Sequence, residues 1–285
     1  MLPFDTQEPL DALLDTPTTA FYNGMDSMWK HIVAMMAQGK GIQTAEKQKF
    51  VEDVFLVKMM SWLIGEATTS AEITREPDSV KDLPLLAVTL QQKPAWKAIE
   101  LAQDHFKRQD IPTINPKVIE KMMFTSNVDA EKAAQRMSVT AQRAITTALA
   151  GGLTGREAIR EIKKEGVSAG YATNVYRTNA HTAYNQATYQ RAVESNVVDG
   201  FRYLAIRDRR ARDNHTACYG LEQPIDSEWW DYLYPPLGYN CRCRVVAVVA
   251  GLLKPKVPEG LSLPAVKGNS KGFADTGDFG KRPTL

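Results

Sequence analysis

The sequence predicts an α+β chain, mostly α-helical, with a small antiparallel β-sheet near the C-terminus that carries a histidine and cysteine loop. Three observations lead there. Apolar residues recur at helical spacing over much of the chain up to Ser195. The period changes at Gly200: Phe201-Arg202-Tyr203-Leu204-Ala205-Ile206-Arg207 is β-rich, and Arg244 to Ala250 (RVVAVVA) is a short apolar run. Every cysteine lies between those two runs, so the loop that joins them holds the soft donors of the chain.

Residues 1–17 are rich in Pro and Asp and read as an extended arm. From Thr18 to Gln38, Phe21, Met25, Met28, Trp29, Ile32, Met35 and Met36 fall at helical spacing, and Gly39-Lys40-Gly41 stops the helix. A second helix runs from Thr44 to Gly65, apolar on more than one face. Methionine-rich helices of this kind serve as adaptable core filler or as a docking face for another protein. Residues 66–93 read as a loop broken by Pro77 and Pro84, and Pro94 opens a helix reaching Gln109. Pro112 and Pro116 mark a soft boundary.

A long helix follows from Pro116 to Ala150, with a small-residue stripe at Ala130, Ala133, Ala134, Met137, Ala141, Ala144, Ile145 and Ala148. Thr154-x-x-Glu157 is a capping box opening a short helix to Lys164, closed by Gly166. Ser168 caps a helix to Ser195. On it Tyr176, Ala180, Ala183 and Ala187 form a packing face, while Arg177, His181 and Asn185 stack on a polar face expected to be solvated or inter-subunit. The two β-rich runs are expected to pair antiparallel, with the intervening loop folded across their end and stapled by Trp229, Trp230 and the Cys/His cluster. After Gly251 the composition turns to Gly, Pro and Lys. The organisation expected is a helical, partner-binding region at 1–112, a module at 113–250 and a flexible tail at 251–285.

The formal net charge of +2 is near balance, so whole-molecule charge does not announce a nucleic-acid partner. Three cysteines in one segment are not a disulfide framework, and neither a signal peptide nor a membrane span is evident. A reducing cytoplasm is the expected site of synthesis.

His215-x-x-Cys218 and Cys241-Arg242-Cys243 bring one imidazole and three thiols in two short pairs. Such pairs suit a tetrahedral Zn2+ site, although C-x-C is shorter than the usual spacing. Buried free thiols with a hydrogen-bonded His215 fit as well; a Cys241–Cys243 disulfide is disfavoured by geometry. A catalytic zinc would also need a general base, for which Glu222, Asp226, Glu228 and Asp231 are the nearby candidates. Neither H-E-x-x-H nor H-x-E occurs, so a bound metal is expected to hold the fold.

The run Asp208-x-Arg210-x-Arg212-x-x-His215, then Gly220, Trp229 or Trp230, and Pro235-Pro236-Leu237-Gly238-Tyr239-Asn240-Cys241-Arg242-Cys243, resembles the phage Mu F-like family of minor head, or head morphogenesis, proteins. Arg177-Thr178-Asn179 and Asn185 resemble the helix that precedes this pattern in the family. The resemblance spans Thr140 to Val249; Cys218 departs from it, leaving His215, Cys241 and Cys243 as the matched donors. It implies a minor capsid protein of a tailed phage or prophage, acting in head morphogenesis at or near the portal vertex and in DNA packaging or ejection. It also implies binding to the portal protein and other head proteins, contact with double-stranded DNA, and a place in the virion after assembly in the host cytoplasm. No membrane partner follows from it. Fused toxin domains occur in the family, but the stretch after Val249 is too short for one, so no enzymatic activity is expected. A zinc-stabilised nucleic-acid-binding module, gripping phosphates through Arg207 to Arg212, is the alternative; the interleaved Asp208 and Asp213 point instead to pairing within the chain.

Overall fold

The computed structural model describes residues 19–38, 40–74, 97, 100, 101, 104, 115–268 and 279–283. The arm at 1–17 and most of the helix expected over 94–109 lie outside the described residues. The longer helices with described bounds come first: α1 (Thr19–Ala37), α2 (Thr44–Thr74), α3 (Pro116–Ala150), α4 (Gly155–Glu165) and α5 (Ala169–Ser195). A smaller unit follows: β1 (Val198–Leu204), α6 (Asp213–Ala217), β2 (Glu222–Pro224), α7 (Trp230–Leu233), β3 (Arg244–Val249) and α8 (Leu263–Gly268).

The helix boundaries follow local chemistry. Thr154 accepts from the Glu157 amide while Glu157 reaches back to the Thr154 amide, a complete capping box. Ser168 caps α5 through the Tyr171 amide, and Asn196 ends it in the left-handed conformation. The second helix does not stop at Gly65. It continues to Thr74, because its polar residues find partners inside the fold: Arg191 donates to Ser70 at 2.9 Å, and the Ala247 amide donates to Glu72 at 3.0 Å. Residues 66–74, expected as loop, are therefore helical.

Most methionines of the first two helices are core. Met25, Met28, Met59 and Met60 are buried with Trp29, Ile32, Phe50 and Val54 against α3, α4 and α5. Trp29 donates to the Ile162 carbonyl at 3.2 Å and Tyr22 to the Val167 carbonyl at 2.9 Å, pinning α1 to the α4–α5 turn. Of the two roles open to these helices the structure shows core filler: the chain covers these apolar faces itself. Helices on both sides of residue 112 share this one core.

A second core lies at the other end of α5. Tyr189 and Ala192 of α5 pack there with Phe201, Trp230, Leu233, Tyr234 and Val245. Four of these rings stand edge-to-face or stacked: Tyr189, Phe201, Trp230 and Tyr234 meet at centroid separations of 5.5 to 6.2 Å. The sheet beside them has the order β2-β1-β3, antiparallel throughout. Phe201 faces Ala247 and Leu204 faces Arg244, so the two β-rich runs pair as expected. β2 adds a strand that the sequence reading lacked. It sits so close to β1 that a Cβ on Gly200 would lie 2.2 Å from the Gln223 carbonyl oxygen, a clash only glycine avoids.

The segment after Gly251 is not a free tail where it is described. Lys256 and Glu222 exchange backbone hydrogen bonds of 2.8 and 2.9 Å, Leu261 and Val266 are buried in the second core, and Tyr234 donates to the Gly280 carbonyl at 3.0 Å. Its Gly and Pro content suits a strap that follows a surface, with a few apolar residues supplying the anchor.

Candidate functional site

The loop joining β1 to β3 folds back so that its two ends meet. α6, a single turn, carries the buried His215. The Pro235–Pro236 peptide is cis, and Asn240 takes φ 60°, the left-handed conformation that asparagine tolerates. That turn delivers Cys241, Arg242 and Cys243 into the start of β3.

His215 Nδ1 lies 3.5 Å from Cys241 Sγ and 3.5 Å from Cys243 Sγ, and all three residues are buried. They form the one group among the described residues whose His, Cys or carboxylate donor atoms all fall within 4.8 Å of one another. Backbone amides of Leu237 (3.5 Å) and Cys243 (3.4 Å) point at Cys241 Sγ. Burial by itself would raise the Cys241 thiol; hydrogen bonds from Cys243 and His215 and the imidazole charge outweigh it and hold Cys241 well below the ordinary thiol range. Cys243, hydrogen-bonded to Cys241 and buried, is pushed well above it. Cys218 stays outside the group: its thiol donates to the Asn214 carbonyl at 3.3 Å, and burial followed by the nearby Cys241 pushes it up to about 12. The Tyr203 hydroxyl is buried beside Cys243, and burial together with these three cysteines drives its pKa well up.

The remaining motif residues lock the loop. Asp208 takes a two-pronged contact from Arg242 (2.8 and 2.5 Å) and caps the Arg210 amide at 2.9 Å. Arg242 heads the influences that hold the Asp208 carboxyl well below the usual range. The paired Asp208 matches the intramolecular reading of the arginine-rich run. Arg212 donates to the Tyr239 carbonyl at 2.9 Å and touches His215 Nε2 at 3.3 Å. Gly220, at φ 80°, donates its amide to the Tyr203 carbonyl at 2.9 Å.

Arg177 and Asn185 are buried and face this loop rather than solvent or another subunit. Arg177 donates to Asn240 Oδ1 at 2.5 Å, and Asn185 donates to the Cys243 carbonyl at 3.2 Å and accepts the Val245 amide at 3.2 Å. The polar face expected to be solvated is instead the socket for the Cys-Arg-Cys turn; His181 is buried with it. Thr178, named in the sequence only as part of the Arg177-Thr178-Asn179 run, accepts the Asn240 amide on its hydroxyl at 3.0 Å. Sequence reasoning missed Tyr234, whose hydroxyl donates to the Asn185 carbonyl at 2.8 Å.

Three of the four carboxylates considered as general bases are engaged elsewhere. Glu222 pairs with Arg202 at 2.7 Å, Asp231 with Arg282 at 2.7 Å and Glu228 with Lys267. The cavity bordered by His215, Cys241 and Cys243 holds about 60 Å³, and Arg210, Arg212 and Arg242 share its wall. That is far below the roughly 300 Å³ at which organic ligand pockets begin. Water or a small ion fits; a nucleotide does not.

Residues 140–246 match the family described as Phage Mu protein F like protein. The chain is 41% identical over 76 residues to the Mu-like prophage FluMu F protein of Haemophilus influenzae, covering 26% of this chain and 18% of that protein. It is 33% identical over 81 residues to the "Putative capsid assembly protein F" of Escherichia phage Mu, covering 28% of this chain and 18% of the relative. The chain thus spans under a fifth of the length of these two curated relatives. No solved structure matches.

Proposed function

We propose a function from one premise: residues 140–246 are a phage Mu F-like module. From it we read the chain as a minor head protein that takes part in capsid assembly, seated at or near the portal vertex, with the portal protein and other head proteins as partners. The observation that carries a structural over a catalytic role is the saturation of the motif. Asp208 is spent on Arg242, Arg177 on Asn240, and Asn185 on the first residues of β3. Residues used in this way fix a loop, and the space beside His215, Cys241 and Cys243 themselves is about 60 Å³, too small for an organic substrate at those side chains.

No helix among the described residues is long and apolar enough to cross a membrane. The exposed side chains Arg207, Arg209 and Arg210 favour a second reading, contact with duplex DNA phosphates, although Asp208 and the Tyr219 ring beside Arg207 offset part of that charge.

The test is size-exclusion chromatography with light scattering on the full chain, alone and mixed with the portal protein of the same phage or prophage. A co-eluting complex of defined mass is expected. Separate elution of two folded proteins, with retention of added duplex DNA that weakens steeply with salt, would replace this reading with the nucleic-acid module.

A further inference from the structure

We propose that His215 Nδ1, Cys241 Sγ and Cys243 Sγ bind one Zn2+ as a three-donor site whose fourth position opens on the arginine-walled cavity and takes water or a small anion. The separations fit the ion. Tetrahedral zinc with Zn–S of about 2.3 Å and Zn–N of about 2.0 Å sets neighbouring donors roughly 3.5 to 3.8 Å apart. Both imidazole-to-sulfur distances here are 3.5 Å.

A second observation is independent of those distances. The Leu237 and Cys243 amides both aim at Cys241 Sγ, a sulfur that as a thiol is a weak acceptor and as a metal thiolate a strong one. The buried Tyr203 hydroxyl, with no other partner, has a thiolate neighbour once Cys243 binds metal. Two thiolates and a neutral imidazole balance the two positive charges of zinc, so the buried site carries no net charge to desolvate. With the metal on Nδ1 the ring proton sits on Nε2, so Arg212 Nη1, 3.3 Å away and also a donor, must turn aside while Nη2 keeps the Tyr239 carbonyl.

Cys218 is not the fourth ligand, since its thiol is turned to Asn214. The three donors instead share the wall of the small cavity with Arg210, Arg212 and Arg242; Asp208 offsets one of these three charges from outside the cavity, and the remaining excess favours an anion over a neutral guest. No Asp or Glu borders that cavity among the described residues. The metal therefore acts as a cross-link, joining α6 to the turn that leads from the Pro-Pro loop into β3.

The experiment uses the full chain purified without chelator, with zinc measured per chain and Co2+ exchanged in for spectroscopy. Stoichiometric zinc is expected in the wild type and in Cys218→Ser, and its loss in Cys241→Ser and Cys243→Ser. The Co2+ form should show thiolate charge-transfer bands, and its visible bands should shift when azide is added. Should the cysteine variants fail to fold, the wild type still decides: stripping the metal should lower Tm by several degrees, and Zn2+ but not Mg2+ should restore it. A folded wild type that holds no zinc and does not respond to it overturns the site. Zinc lost from folded Cys218→Ser overturns the three-donor set, and azide-insensitive cobalt bands overturn the open position.

Discussion

At Asn185 a single carboxamide does the work of a strand partner. It gives one hydrogen bond to the His181 carbonyl, another to the Cys243 carbonyl, and accepts the Val245 amide, all out of contact with water. Asn185→Ala strands the Val245 amide and the Cys243 carbonyl in a dry site. A loss of about 2 to 3 kcal/mol is expected, read from urea unfolding, with the second core loosened first in hydrogen exchange. Glu66 gives a prediction in pH. Burial, opposed by Arg191 and reinforced by Glu194, raises its pKa from 4.5 to about 8. The folded state thus prefers the neutral acid. Its contribution is full below about pH 4.5 and is lost as pH rises through about 8. Urea midpoints of the wild type should fall between about pH 5 and about pH 8, and Glu66→Gln should flatten that slope. An unchanged slope in the variant would place the pH dependence elsewhere.

Among the elements, the α2–α5 contact has the tightest tolerance. A Cβ on Gly65 would stand 2.6 Å from the Tyr184 carbonyl oxygen and 2.9 Å from Ala187 Cβ. Alanine in a helix interior normally gains about 1 kcal/mol over glycine. Here backbone must move to admit it, so Gly65→Ala should instead destabilise by about 1 to 3 kcal/mol, as overpacking does, seen as a lower Tm. The alanines of α5 that make this approach possible, Ala180, Ala183 and Ala187, were legible as a packing face, and so were α3, α4 and the caps at Thr154 and Ser168. The second half of α2 was not. Glu66, Thr69, Ser70 and Glu72 look like a solvated turn in one dimension, and only partners from α5 and β3 make them interior. β2 escaped for a similar reason: three residues have no period of their own and exist as a strand by pairing with β1 and Lys256.

For the whole molecule, α5 is the shared wall of two cores, one built with α1 to α4 and the other with the sheet and its loop. Glu72 of α2 binds across to the strand, taking the Ala247 amide at 3.0 Å and lying 3.6 Å from the buried Arg244 guanidinium. The segment 140–250 alone would therefore expose Tyr176, Ala180, Ala183 and Tyr184 and leave Arg244 without this carboxylate. Excised, it should self-associate and lack a cooperative unfolding transition, whereas adding residues 19–139 should restore one. A monomeric, cooperatively unfolding 140–250 fragment would show that the Mu F-like module stands by itself.

Local rules carried much of the reading: helical periods and caps, the two β runs, and the chemistry of His215, Cys241 and Cys243, all properties of neighbours along the chain. A motif also located the Mu F-like segment, since residue identities at fixed spacing survive without coordinates. Packing decided the rest. Whether Cys218 joined the donors, whether the methionines faced a partner, and whether Arg177 and Asn185 met water or the Cys-Arg-Cys turn depended on residues far apart in sequence. Burial is a property of the assembled chain, and a polar side chain carries no local mark of the distant group that will satisfy it.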